Sequence, residues 1–290
     1  MDDFVAPFSL DNAPVRGRVV RLAAGALDPI LRRHEYPRPV ALRLGEALTL
    51  ATLVGSLLKA KGRLVLQAEG DGPVSLLVAE YKEDGSLRGY ARVREGAELA
   101  AAHRMSPAAL IGEGRLALTL DQGDDTPAYQ GIVALEGESL ASAVESYFRA
   151  SEQTETRIRL AVGEVFEGDA PPSWRASGAL MQRIAPDDAR GDVEEDWSRA
   201  TILFATVEDA ELVDPNLPAD RLLYRLFHEE GVRMGEAAAL ADRCSCDEER
   251  LTAVLHQLPA DEVASLIEPD GLIRANCQFC ARQYLIDPAA

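Results

Sequence analysis

The cysteines constrain this 290-residue chain more than any other feature. All four lie at or beyond position 244, as Cys244-Ser245-Cys246 and Cys277-Gln278-Phe279-Cys280. Two close pairs separated by a folding segment are how a tetrahedral, all-thiolate zinc site is built. Each pair closes a tight local chelate, and residues 247–276 fold to bring the pairs together. Cysteines that merely fill a core do not pair at these spacings. The Cys-x-x-Cys half is common in zinc ribbons; the Cys-x-Cys half is not. The expectation is one zinc ion per chain, held by Cys244, Cys246, Cys277 and Cys280. His256 falls between the pairs, but four thiolates already fill the shell, so an exposed helical position is expected for it.

Such a site is labile by construction. A C-terminal segment beginning near residue 232 buries too little surface to be robust alone. Zinc binding contributes on the order of 10–16 kcal/mol to the folding of small modules of this kind. Disulfides are poor zinc ligands, so oxidation removes that contribution; the domain then unfolds and a neighbour leaning on it follows. A disulfide across one intervening residue closes a small strained ring that is easily reduced, and one across two residues is a redox-active arrangement. Four thiolates around one zinc leave two net negative charges, which keeps the sulfurs electron-rich. Arg243, Arg250, Arg274 and Arg282 lie close in sequence, either as counter-charges or as solvated surface.

The rest of the chain reads as α+β. Val15–Leu22 is a first strand, and Pro39 precedes an apolar helix through Leu44, Ala47, Leu48, Ala51 and Leu58. Strand-like runs at Arg63–Glu69, Pro73–Tyr81 and Ser86–Val93 are separated by the turns Gly70-Asp71-Gly72 and Asp84-Gly85, which predicts an antiparallel meander. A second pair, Arg115–Leu120 and Ala128–Leu135, brackets the turn 121–125. A helix with Leu140, Val144, Tyr147 and Phe148 on one face follows, then a half-exposed strand at Thr156–Phe166. Strands and helices do not alternate regularly, so a doubly wound parallel sheet is not expected. Residues 1–184 are read as one mixed domain, 185–231 as a helical linker and 232–290 as the zinc-binding redox-switch domain. The linker opens on the acid-rich run Asp187–Asp196 and carries two amphipathic patterns, Val193–Val207 and Ala219–His228. Their apolar residues include Trp197, Ile202, Phe204, Leu222, Leu223, Leu226 and Phe227. Helices of this length are marginal unless they lie against something.

Composition narrows the function. A formal net charge of -18 repels phosphate backbones and anionic lipid, so neither nucleic acid nor membrane is an expected partner. The N-terminus is acidic and lacks the features of a signal peptide, and the apolar stretch Ala47–Leu58, followed by Lys59 and Lys61, is too short to span a bilayer. A cytoplasmic location is expected, where thiols stay reduced and clustered cysteines bind metal or sense redox. His34, His103 and His228 sit in unrelated segments. Gly112-Glu113-Gly114 opens a strand, not the helix of a phosphate loop, and there is no Gly-x-Ser-x-Gly elbow. The chain is read as a non-enzyme.

Residues outside the cysteines carry a resemblance. Arg16-Gly17-Arg18-Val19-Val20-Arg21-Leu22, Gly70-Asp71-Gly72-Pro73, Leu87-Arg88-Gly89-Tyr90-Ala91, Tyr129-Gln130-Gly131-Ile132-Val133, Tyr147-Phe148 and Ser151-Glu152-Gln153 resemble signatures of the heat-shock protein 33 family, the redox-regulated holdase chaperones. Cys277-Gln278-Phe279-Cys280 with Tyr284 is similar to that family's second zinc half-site. Asp247-Glu248, Gln278 and Glu155 depart from its usual residues, none of them at a ligand. The resemblance implies an ATP-independent holdase that is inactive when reduced and zinc-loaded. Peroxide or hypochlorite, with unfolding stress, would then form disulfides Cys244–Cys246 and Cys277–Cys280. Zinc would be lost, and the C-terminal domain and linker would unfold. The linker residues Trp197, Phe204, Leu222, Leu223, Leu226 and Phe227 would join the surface that binds unfolding client proteins, with homodimerisation of the oxidised form. Two other readings compete: a constitutive zinc-stabilised interaction module, in which oxidation destroys function, and a thiol–disulfide oxidoreductase using Cys277 and Cys280, which leaves Cys244 and Cys246 without a role.

Overall fold

The computed structural model describes residues 2–58, 62–97, 99, 105–123, 126–135, 139–166, 168–184 and 193–288. His103, Lys59, Lys61, the turn residues Asp124 and Asp125, and residues 187–192 of the acid-rich run lie outside the described residues. The chain forms two compact units, Met1–Asp242 and Arg243–Ala290.

The larger unit begins with β1 (Phe4–Leu10), β2 (Val15–Leu22), α1 (Asp28–Arg32) and α2 (Arg38–Gly55). The meander β3 (Arg63–Gly70), β4 (Val74–Lys82) and β5 (Ser86–Val93) follows, then α3 (Pro107–Ile111), β6 (Gly114–Asp121) and β7 (Tyr129–Ala134). Next come α4 (Leu140–Ala150), β8 (Thr156–Val165) and β9 (Ser173–Arg183). The linker helices are α5 (Val193–Ala205), α6 (Asp209–Val213) and α7 (Ala219–Phe227), and the short strands β10 (Val232–Met234), β11 (Ala238–Ala239) and β12 (Ala241–Asp242) close the unit. The smaller unit holds α8 (Glu248–Leu255), α9 (Ala260–Leu266), β13 (Ile273–Asn276) and β14 (Gln283–Ile286). The fold is α+β.

Two sheets organise the larger unit. One runs β10-β1-β2-β9-β8, with β11 also on β1; the other runs β12-β5-β4-β3-β6-β7. All pairings are antiparallel except the two-residue β12 on β5. Helix α2 carries apolar residues on every side, with Arg43 and Glu46 paired to each other within it, a pattern a helix tolerates only when it is covered all round. Every residue from Pro39 to Gly55 is buried, and the helix packs on strands of both sheets. Gly45 sits where Val162 of β8 presses in, leaving no room for a Cβ. Its Pro39 occupies the first turn, where a missing N–H is harmless.

The first sheet is buried on both faces. Val5, Val20, Leu22 and Leu180 join the core around α2, while Phe4, Phe8, Val19 and Met181 join a second core beneath α5–α7. This explains why β1 and β9 escape a reading that seeks period-two alternation. Strand β9 is buried at every position from Trp174 to Gln182, and β1 combines near-complete burial with an internal Pro7. The meander, β2, α4, β8, α5 and α7 fall within a few residues of their expected bounds. The linker contains a third helix, α6, closed by a capping box in which Glu208 and Glu211 serve each other's backbone N–H groups. Residues 232–242, assigned by sequence to the C-terminal domain, lie in the larger unit, and the smaller one begins at Arg243. No helix among the described residues is long and apolar enough to cross a membrane.

Candidate metal centre

The four cysteines converge within the smaller unit. Strands β13 and β14 form a hairpin whose last pair is Asn276↔Gln283, and residues 277–282 make its loop. The loop is pinned at its base: Cys277 N–H donates to the Arg282 carbonyl at 2.9 Å, and Ala281 N–H donates back to the Cys277 carbonyl at 2.9 Å. Ala281 takes φ 57°, the left-handed conformation that closes the turn. This fold-back aims Cys277 and Cys280 to one side. Cys244 and Cys246 approach from the chain that enters α8, whose start is fixed by Asp247 accepting from Arg250 N–H at 2.8 Å.

The sulfurs meet on terms a metal can use. All four Sγ atoms lie within 4.8 Å of one another, with Cys244–Cys277 at 3.7 Å and Cys246–Cys280 at 3.3 Å. Tetrahedral bonds of about 2.3 Å to zinc require sulfurs roughly 3.8 Å apart, so the donor set fits a four-thiolate ion. The sulfurs are half-buried. Without a cation, burial together with the neighbouring thiols pushes the Cys280 thiol up to about 12, so the four cannot all ionise. A bound cation reverses this and holds them as thiolates.

Around the sulfurs the unit has little else. Its buried core is Ile273, Tyr284 and Ile286, with Leu251, Leu255 and Val263 partly covered against it. Tyr284 turns its hydroxyl toward the first cysteine pair, 3.2 Å from Cys246 Sγ and 3.1 Å from the Cys246 carbonyl oxygen. The hydrogen bond to Cys246, with burial, raises the Tyr284 hydroxyl above the usual phenol range, so it stays a donor. Of the four arginines close in sequence, Arg250 pairs with Asp247 at 3.2 Å and Arg274 with Glu268 at 2.6 Å and with Asp270. Arg282 sits beside Tyr284 and also feels the charge of Cys246 and Cys280. His256 is exposed at the C-terminus of α8. The hydroxyl contact of Tyr284 is missed by a ligand count; its sequence signal is a single aromatic with a polar tip just beyond the second pair.

The linker residues are in the larger unit, buried against the first sheet. Trp197, Phe204, Leu222, Leu223, Leu226 and Phe227 are all nearly inaccessible, whereas Ile202 is 66% exposed. Phe227 stacks on Phe8 with ring centroids 6.3 Å apart. Phe8 reaches that position because its partner across the ladder is Gly17, where any Cβ would run into the Phe8 ring. Polar contacts finish the docking. Arg21 donates to the carbonyls of Asp214, at 2.9 Å, and Leu217. Arg159 donates to Ala205 at 2.8 Å and Val207 at 3.3 Å, and Arg199 bridges α5 to Glu230 at 2.6 Å.

Comparison with known proteins places these features in one family. The profile of the Hsp33 protein family matches residues 3–287. The chain is 48% identical over 292 residues to the 33 kDa chaperonin of Caulobacter vibrioides, covering 99% of this chain and 96% of that one. It is 37% identical over 281 residues to the 33 kDa chaperonin of Serratia proteamaculans, covering 97% and 90%. The crystal structure of the 33 kDa chaperonin from Thermotoga maritima shares the fold, with TM-score 0.81 at 23% identity over 99% of this chain and 96% of that one.

Proposed function

The chain belongs to the Hsp33 family, and from that premise we propose that it is a redox-regulated, ATP-independent holdase chaperone of the cytoplasm. The observation that carries the reading is the cluster of four half-buried thiols in a unit with a three-residue buried core. A bound zinc ion supplies the folding free energy this core lacks. In the reduced protein Cys244, Cys246, Cys277 and Cys280 hold it, and the linker stays on the sheet.

Oxidation acts on the sulfurs. A thiolate attacks one peroxide oxygen, the O–O bond breaks and hydroxide leaves; a second cysteine sulfur displaces the resulting sulfenic oxygen as water. Two peroxides and four protons convert four thiolates into two disulfides and four waters. The pairs Cys244–Cys246 and Cys277–Cys280 are favoured over cross-pairs once the unit loosens. Partners within a pair stay close in a disordered chain, whereas Cys244 with Cys277 or Cys246 with Cys280 must close a loop spanning 33 or 34 residues. Disulfide-bonded sulfurs no longer hold the metal, residues 243–288 unfold, and the tether following β12 slackens. Undocking of α5–α7 then bares Phe4, Phe8, Val19 and Met181 on the sheet and Trp197, Phe204, Leu222, Leu223, Leu226 and Phe227 on the helices. This apolar surface captures unfolding clients and supports a homodimer of the oxidised form.

The test is aggregation of a chemically unfolded client in the presence of reduced, zinc-loaded protein or peroxide-treated, zinc-free protein. Suppression by the oxidised form alone is the expected result. Suppression by neither, or by the reduced form alone, overturns the reading. It would then favour a constitutive interaction module, for which exposed Val254, Leu266 and Leu285 on the smaller unit would serve.

A further inference from the structure

We infer that Tyr284 is a positioning residue for the thiol switch: backed by Arg282, its hydroxyl donates a hydrogen bond to Cys246 Sγ and slows that sulfur's attack on peroxide. The inference rests on the four-thiolate reading above and assigns a task to a residue that is not a ligand.

The geometry limits where the phenol proton can go. Tyr284 Oη has Cys246 Sγ at 3.2 Å and the Cys246 carbonyl oxygen at 3.1 Å. Arg282, beside Tyr284, has only donors and cannot accept the phenol proton, which leaves Cys246 as its acceptor. The ring is held in that orientation because it is 8% exposed and forms the core with Ile273 and Ile286. It also stands in β14 directly across from Ala275 in β13, which fixes the position of its backbone on the hairpin that carries Cys277 and Cys280. A hydrogen bond into a metal-bound thiolate withdraws electron density from the sulfur and fixes its direction; outer-shell partners of this kind are typically worth 10–100-fold in metal affinity.

The chemical consequence follows from nucleophilicity. Thiolate attack rates rise with sulfur basicity with a Brønsted slope of about 0.4–0.5. A hydrogen bond that lowers basicity by one to two powers of ten therefore slows attack by roughly threefold to eightfold. The contact couples two properties: it tightens the metal site and raises the oxidant dose needed to open it. The contact falls on Cys246, so the brake acts on the Cys-x-Cys half.

The experiment uses the full chain and its Tyr284→Phe and Arg282→Gln variants, each loaded with Co2+ for spectroscopy and with Zn2+ for release kinetics. In Tyr284→Phe the sulfur-to-cobalt charge-transfer band moves to lower energy, metal affinity falls about tenfold, and peroxide-driven zinc release, followed with a chromophoric chelator, quickens roughly threefold to eightfold. Arg282→Gln moves the band and the rate the same way by less. Loss of packing alone would weaken affinity without moving the band. An unmoved band and an unchanged release rate in Tyr284→Phe overturn the inference while leaving the four-thiolate reading intact. Should Tyr284→Phe fail to take metal, the Arg282→Gln band decides, and an unmoved band again overturns it. Failure of the parent protein to bind Co2+ through sulfur would overturn both.

Discussion

Helix α2 and the pair α8 and α9 come from one chain and are held by opposite means. Every residue of α2 from Pro39 to Gly55 is buried, while α8 and α9 bury none. Burial of apolar surface at about 25 cal/mol per Å² stabilises the first wherever water is the solvent, and neither an oxidant nor a chelator removes it. On the proposed reading the second depends on a metal ion bound by four sulfur atoms, and those bonds can be withdrawn by chemistry. The lesson is that a switch needs a region too poor in core to stand without its ligand, joined to one rich enough to survive the loss.

The largest effect that tests this contrast is metal removal. Chelation of the reduced protein should abolish on the order of 10–16 kcal/mol of support for the smaller unit. Amide hydrogen exchange should then become fast throughout residues 243–288 and stay slow in α2. Retained protection in β13 and β14 after chelation would mean that Ile273, Tyr284 and Ile286 suffice, and the contrast would fail.

The linker lies between the extremes, since it has a true core yet is held by few elements. Phe227→Ala removes a fully buried ring stacked on Phe8 and should cost about 3–5 kcal/mol of docking. The oxidant dose or temperature that activates the protein should fall. Leu226→Ala should act in the same direction. Leu48→Ala in α2, also fully buried, should cost about 2–5 kcal/mol of the larger unit's stability with the activation threshold unmoved. Equal effects of Phe227→Ala and Leu48→Ala on the threshold would show that general destabilisation, and not release of the linker, sets it.

What the sequence discloses tracks how one-sided each element is. Strand β3 and the first half of β8 alternate, β4 and β5 are bounded by Gly- and Asp-bearing turns, helices α4 and α7 carry apolar stripes, and all were legible. Strand β9 was not, because a strand covered on both faces has no alternation to detect. The cysteine cluster was legible from spacing alone, because chelation constrains short-range sequence. The contacts that dock the linker were not: Arg21 and Arg159 reach main-chain carbonyls, and a carbonyl accepts whatever residue bears it. Nor could spacing tell that Arg274 and Arg250 are occupied by carboxylates while Arg282 faces Tyr284.

The smallest effect reaches the same contrast through the backbone. Ala281 holds φ 57° in the turn that aims Cys277 and Cys280, and Glu35 holds φ 48° in the larger unit, between α1 and α2. A left-handed residue with a Cβ is strained by about 1–2 kcal/mol, and glycine returns roughly 0.5–1 kcal/mol of that as unfolded-chain entropy. Ala281→Gly and Glu35→Gly should therefore each stabilise their own unit by about 0.5–1 kcal/mol. Their consequences should differ. On the proposed zinc reading, folding of the smaller unit and metal binding are one equilibrium, so Ala281→Gly should tighten zinc about twofold to fivefold in competition with a chelator. Glu35→Gly should raise the melting temperature of the larger unit and leave zinc affinity alone. Should Ala281→Gly leave zinc affinity unchanged, the smaller unit would be folding ahead of its metal, and stability would have to be sought in its three buried side chains after all.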